Sequence, residues 1–185
     1  MLPIQLIGVE GGMVTYPEDN LVVYIGGYGR SGSTLLEILL SKVMGSVGEL
    51  RYFPRHVVER KIKCGCGRRF EECPVWSEVL KIYTGRKRRR ELTRLQELFL
   101  SEEGWLGLFR LLLRTDWHNF REYRDTLRRF YSSVFLSIGK GIIVESSKTA
   151  RGARARPALI KEICGIEVKL IHLTRDPRGV YYSLL

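Results

Sequence analysis

The stretch Gly27-Tyr28-Gly29-Arg30-Ser31-Gly32-Ser33-Thr34 combines residue types that hold an anion. Its glycines permit close backbone approach, the hydroxyls of Ser31, Ser33 and Thr34 can donate to phosphate oxygens, and Arg30 adds a forked cation. The stretch separates the apolar, β-rich run Leu21 to Ile25 from the helical pattern TLLEILLSKVM at 34–44. It therefore sits where backbone N–H groups and a helix dipole converge on negative charge. A plain Gly/Ser turn with a cap at Ser33 is the alternative, but capping does not require Arg30 and two flanking glycines together. The ATP-binding loop G-x-x-x-x-G-K-[ST] is matched at Gly27 and Gly32, but Ser33 stands where its lysine belongs. No apolar strand ends in an Asp placed to hold magnesium, since Asp176 lies between an Arg and a Pro. A nucleotide or small-molecule kinase is accordingly the weaker enzymatic reading.

Three further positions carry chemistry. Glu49, in GELRYF, follows the first loop-helix unit and is expected to return to the sheet edge that bears the loop; pairing with Arg51 or Arg55 is its structural alternative. Lys148 follows the strand candidate GIIVE at 141–145, on the carboxyl edge where open α/β sheets bind ligands, and could equally be a surface lysine. Arg175 ends the strand candidate EVKLIHL and can grip a phosphate bidentately, with Ser183 two turns into the next helix adding a hydroxyl. An ion pair of Arg175 with Asp176 or Glu145 is the competing reading.

These motifs resemble the sulfotransferase family, whose phosphosulfate loop carries an Arg or Lys, then Ser-Gly, then small hydroxyl residues. The family's site for the donor's 3′-phosphate is an Arg at a strand end and a Ser eight residues on, matched by Arg175 and Ser183 in LTRDPRGVYYS. The resemblance implies a P-loop-containing three-layer α/β/α fold; it does not extend to the helical stretch at about 80–137, which its periodicity marks as an insertion. It implies binding of 3′-phosphoadenosine 5′-phosphosulfate (PAPS), with 3′-phosphoadenosine 5′-phosphate (PAP) as product, by Gly29, Arg30, Ser31, Gly32, Ser33, Thr34, Arg175 and Ser183. Catalytic roles carry over to Glu49 as the general base of tyrosyl-protein and related bacterial members, to Lys148 as a contact to the transferring sulfate, and to Arg30 on the departing phosphate. No metal is assigned to this chemistry, and the acceptor is expected to be a small-molecule, glycan or peptide hydroxyl. Family members continue beyond the 3′-phosphate helix, so the single domain at 1–185 is expected to be incomplete, as a fragment, a truncated product or half of a split site.

Charge and composition agree with an anionic ligand and leave the reaction open. Of the 185 residues, 31 are Lys or Arg and 20 Asp or Glu, a formal charge of +11 that favours anionic partners. That excess keeps a non-catalytic anion- or nucleic-acid-binding derivative as a third reading, but no aromatic interleaving supports a nucleic-acid groove, and nucleic acid is not the expected partner. With 44% hydrophobic residues the chain can bury a core, and no apolar run reaches the ~20 residues of a membrane span. Without a signal-peptide pattern, a cytoplasmic location is expected, and the oligomeric state stays open.

The strand and helix pattern supplies the frame. A hairpin is expected at 4–9 and 13–16, a short strand at GELRYF, and an irregular basic loop from about Pro54 to Pro74. Helices are expected over 91–113, with Leu92, Leu95, Leu98, Phe99, Leu106, Phe109 and Leu113 on one face and Gly104 and Gly107 as candidate interruptions, and over 119–137, 154–163 and 178–185. Strands alternating with helices predict an α/β fold with a mainly parallel sheet. Cys64, Cys66 and Cys73 crowd the irregular loop at a spacing unlike a standard zinc site; a local disulfide or packed thiols is favoured over a metal knuckle completed by His56 or Cys164. His56, His118 and His172 receive no role, and Gly85 to Arg90 (GRKRRR) reads as a solvated basic loop.

Overall fold

The computed structural model describes residues 20–113, 120–150 and 152–184. The expected N-terminal hairpin, His118 and the start of the helix expected at 119 lie outside them. In chain order the elements are β1 (Leu21–Gly27), α1 (Ser33–Leu40), β2 (Gly45–Gly48), a 3-10 turn (Leu50–Tyr52), α2 (Phe53–Glu59), α3 (Pro74–Thr84), α4 (Arg88–Glu102) and α5 (Trp105–Leu112). They continue with α6 (Arg121–Ile138), β3 (Ile142–Glu145), α7 (Arg156–Ala158) running into a π turn (Leu159–Ile163), β4 (Glu167–Leu173) and α8 (Pro177–Tyr182).

The four strands form one all-parallel sheet in the order β2-β3-β1-β4. Alternation along β1 divides the core: Val22 and Tyr24 enter a large cluster beneath the helices α2 to α7, while Val23 and Ile25 enter a small one with Leu36, Leu40 and Met44 from α1 and its exit. Helices thus cover both faces, unequally, which is consistent with a three-layer α/β/α arrangement. Parallel register aligns the strand ends: Tyr24 pairs with Glu145, Gly48 with Glu145 and Gly27 with Leu173. The loops after all four strands therefore open on one edge. At Gly27, with φ of +114°, a Cβ would lie 2.2 Å from the Leu173 carbonyl oxygen, so only glycine lets β1 leave the sheet beside β4.

Several sequence expectations are corrected. The strand expected at GELRYF is one step earlier, at β2; Pro54 then sits in the first turn of α2, where its missing N–H costs nothing, so a helix occupies the start of the expected irregular loop. A helix, α3, already begins at Pro74, ahead of the stretch at about 80–137. The stretch 91–113 is two helices, α4 and α5, divided at Gly104, one of the two glycines expected as possible interruptions; at Gly107, inside α5, a side chain would collide with the Glu102 carbonyl oxygen. Its expected apolar face also divides at Gly104: Leu92, Leu95, Leu98 and Phe99 are buried, whereas Leu106, Phe109 and Leu113 are exposed.

The large core is aromatic at the junction that fixes α2. Phe53 lies 4.6 Å from Trp76 of α3 and 5.6 Å from Phe130 of α6, ring centroid to centroid, and meets Phe70 edge-on. Beside this core runs a fully buried ionic cluster. Arg156 donates through Nε to Glu145 (2.7 Å) and through Nη1 to Glu103, while Arg51 donates through Nε to Glu103 (3.2 Å). Tyr131 donates to Glu145, Tyr123 to Glu103 (3.0 Å), and the Arg156 guanidinium carbon lies over the Phe99 ring, 4.5 Å from its centroid. Two guanidinium groups face two carboxylates, so burial is balanced in charge and in hydrogen bonds. Burial pushes the Glu103 carboxyl up against the pull of Arg156 and Arg51; it disfavours the Arg156 charge, which Glu103 and Glu145 hold in place.

Candidate anion and transfer site

The strand-end loops wall one open cavity of about 910 Å³. Gly29, Arg30, Gly32, Ser33 and Thr34 come from the β1–α1 connection, Glu49 follows β2, Lys148 follows β3, and Arg175 and Ser183 flank α8. Of the ten residues singled out in the sequence, only Ser31 is outside this wall. The first turn of α1 contributes backbone: Gly32 is its N-cap, in a left-handed conformation, with no side-chain cap. Its first N–H groups are therefore left for a ligand or for water.

The charged residues around the cavity divide by their ion-pair partners. Arg55 bonds Glu59 (2.8 Å) and Arg51 bonds Glu103, while the Glu49 carboxylate takes the Lys148 ammonium. Asp176 caps α8, accepting from Arg178 N (2.8 Å) and pairing with its guanidinium (2.7 Å), and Glu145 goes to Arg156. Arg175 instead donates through Nη1 to the Arg30 carbonyl oxygen (2.9 Å), which ties the strand-end arginine to the glycine loop. Arg30, Lys61 and Arg175 make no ion pair among the described residues, and the wall holds five Lys and Arg side chains against Glu49 and Glu59. Such a surface favours a multiply charged anion.

Backbone strain falls on the same residues. Among the described residues three non-glycines have positive φ, and two of them, Arg30 (67°) and Lys148 (63°), line the cavity. Each costs roughly 1 kcal/mol or more and persists where neighbours over-determine it. Tyr24 does this for Lys148, its hydroxyl donating to the Lys148 carbonyl at 2.6 Å. Burial holds that phenol well above its usual range, so it remains a donor at any working pH. Glu37 on α1, absent from the sequence-level reading, accepts from Ser46 Oγ (2.5 Å), Gly48 N (2.7 Å) and Ser146 Oγ (2.5 Å). Two more bonds, Ser146 N to the Gly48 carbonyl (2.9 Å) and Arg51 N to Ser147 Oγ (3.1 Å), bracket Glu49 and fix the two residues that precede Lys148. The loop after β2 and the loop after β3 are thus sewn together beside the ion pair.

The far wall was missed in the sequence. Tyr52, Arg55, His56 and Glu59 line it from the start and one face of α2, and Lys61 and Ile62 from the segment after it. Their spacing of three, one and three residues is a helical stripe, legible only once 53–59 is read as helix. His56 lies between the rings of Tyr52 and Phe70, at centroid distances of 6.1 and 6.2 Å, and burial lowers its pKa from 6.5 against the opposing pull of Glu49. Ser183 also departs from expectation. α8 ends at Tyr182, so Ser183 is its C-cap, with Oγ donating to the Val180 carbonyl (2.8 Å), and not a residue inside a longer helix.

Two remaining expectations lie outside the cavity. Cys64, Cys66 and Cys73 are free thiols and not a disulfide; their sulfur atoms lie within 4.8 Å of one another, and neither His56 nor Cys164 joins that group. His172 is exposed on the edge strand β4; residues 85–90 are exposed throughout, but Arg88, Arg89 and Arg90 form the first turn of α4 and not a loop. No described helix is long and apolar enough to cross a membrane. No protein-family model, curated protein or solved structure matches the chain.

Proposed function

We propose that the chain is a sulfotransferase with a P-loop-like anion site, which takes PAPS as donor and moves its sulfuryl group to a hydroxyl acceptor. One observation carries this reading: nine of the ten residues named from two separate sequence motifs and two single positions wall the same cavity. In this reading the α1 N-terminus, Ser33, Thr34 and Arg30 hold the donor's phosphosulfate end, and Arg175 with Ser183 holds its 3′-phosphate. Lys148 exchanges its partner, leaving the Glu49 carboxylate for the sulfuryl oxygens. The freed Glu49 then accepts the acceptor's hydroxyl proton as the acceptor oxygen bonds to sulfur and the sulfur–oxygen bond to phosphate breaks. Arg30 and the helix N-terminus stabilise the charge that gathers on the leaving phosphate.

The test is to incubate the chain with PAPS and a panel of phenols, sugars and tyrosine peptides, and to follow PAP release and sulfated product by mass spectrometry. Product from at least one acceptor class, with none from ATP and magnesium, is the expected result. Phosphorylated product from ATP in place of sulfated product would assign the cavity to a kinase.

A further inference from the structure

Cys64, Cys66 and Cys73 lie on the segment that joins α2 to α3 and take no part in the cavity. Their Sγ atoms come within 4.8 Å of one another although the residues differ in setting: Cys64 is half-buried against the large core, Cys66 exposed and Cys73 buried as the N-cap of α3. Two sulfurs on one tetrahedral zinc ion, each at about 2.3 Å, stand about 3.8 Å apart, so each thiol needs to move by less than about 1 Å.

The backbone is already folded for such a site. Cys64 N donates to the Arg68 carbonyl (2.9 Å) and Gly67 N to the Cys64 carbonyl (2.8 Å), a tight turn with Gly67 at φ +82° that presents Cys64 and Cys66 from one knuckle. Cys73 N donates to the Arg69 carbonyl (2.9 Å), which brings the third thiol to the same turn. Charge complements the ligands: Arg60, Lys61, Lys63, Arg68 and Arg69 in this segment exceed Glu71 and Glu72, which suits the single negative charge of a zinc ion held by three thiolates.

We propose that Cys64, Cys66 and Cys73 bind one zinc ion as a three-thiolate knuckle, with solvent in the fourth position on the exposed Cys66 side. Soft thiolates select zinc over hard divalent cations. Binding exchanges three thiol protons for the metal and involves no redox change. The ion closes a segment with no helix or strand of its own and, through Lys61 and Ile62, steadies the mouth of the cavity. The proposal does not depend on which anion the cavity takes.

Because the sulfurs bind the ion as thiolates, affinity falls as the pH is lowered and protons reclaim them. The experiment is metal analysis of the full chain purified from zinc-supplemented medium, followed by cobalt titration of the stripped, reduced protein. About one zinc per chain, a tetrahedral thiolate-cobalt spectrum, and loss of that spectrum in Cys66→Ser but not in His56→Gln are expected. Cys66 is exposed, so its variant should keep the fold, and the wild-type stoichiometry needs no variant. Less than about a tenth of a zinc per chain with three freely reactive thiols, or a disulfide among them on mass analysis, overturns the proposal.

Discussion

Two ionic sites lie three residues apart on the chain. Glu145, the last residue of β3, belongs to the sealed cluster with Arg156, Glu103 and Arg51, whereas Lys148 reaches into the open cavity to meet Glu49. The first has its partners duplicated: each carboxylate accepts from a guanidinium and a tyrosine or serine hydroxyl, and Arg156 is completely buried. The second is a single Lys–Glu pair, partly exposed and built on a strained backbone. Redundant pairing fixes a geometry, while a single solvent-facing pair can be exchanged for a ligand. Ser147, which precedes Lys148, donates through Oγ to Glu145 (2.5 Å) and accepts from the amide of Arg51 (3.1 Å), two residues beyond Glu49. The sealed cluster is thus the foundation on which the exchangeable pair stands.

Substitutions separate the two sites. Arg156→Met leaves Glu103 and Glu145 buried without their cation and should lower stability by about 3–5 kcal/mol, enough to unfold a marginal domain, whereas Lys148→Met should cost no more than about 1 kcal/mol. Urea denaturation of both variants checks this, and equal losses would erase the distinction. Glu49→Gln should slow sulfuryl transfer by about 10²–10⁴-fold with PAP affinity nearly unchanged, since it removes only the base; a parallel fall in affinity would make Glu49 a binding residue. Arg175→Ala should weaken PAP by about 10–100-fold, the loss of one charge-assisted phosphate contact, while leaving the denaturation midpoint in place.

The smallest effect concerns pH. His56 has a lowered pKa in the folded chain, so between 6.5 and that lower value the unfolded chain binds the proton and the folded chain does not. Stability is then lost as the pH falls through this window. In His56→Gln the loss between pH 7.5 and 5.5 should be smaller than in the wild type, as read by urea midpoints at the two values.

What the sequence made legible follows the range of the interactions involved. The β1–loop–α1 unit is local: an apolar β-rich run, closely spaced glycines and a helical pattern lie within 24 residues at 21–44, and the structure agrees there except that α1 ends at Leu40. Lys148 and Arg175 were placed by one rule, that chain leaving a parallel strand arrives at the carboxyl edge. Glu49 reached that edge for a different reason from the one expected, because it follows β2 and does not lie in it. Glu37 was hidden by its setting, since a glutamate amid TLLEILL reads as the solvated side of an amphipathic helix. Its burial depends on two serines, Ser46 and Ser146, the second of them 109 residues away. The Arg156–Glu103 bond likewise spans 53 residues, and no local pattern announces it. The α2 wall is hidden by Pro54, which in sequence reads as the start of an irregular loop and in the structure marks the first turn of a helix.

The central claim is that the cavity binds one ligand at two ends, through the glycine loop and through Arg175. Calorimetric titration of the full chain with PAP, alongside ATP with magnesium, tests it most directly. The account predicts saturable binding of one PAP per chain, about 10–100-fold weaker in Arg175→Ala, and weaker binding of ATP with magnesium. Binding of ATP with magnesium in preference to PAP, or no binding of PAP by the folded chain, would contradict it.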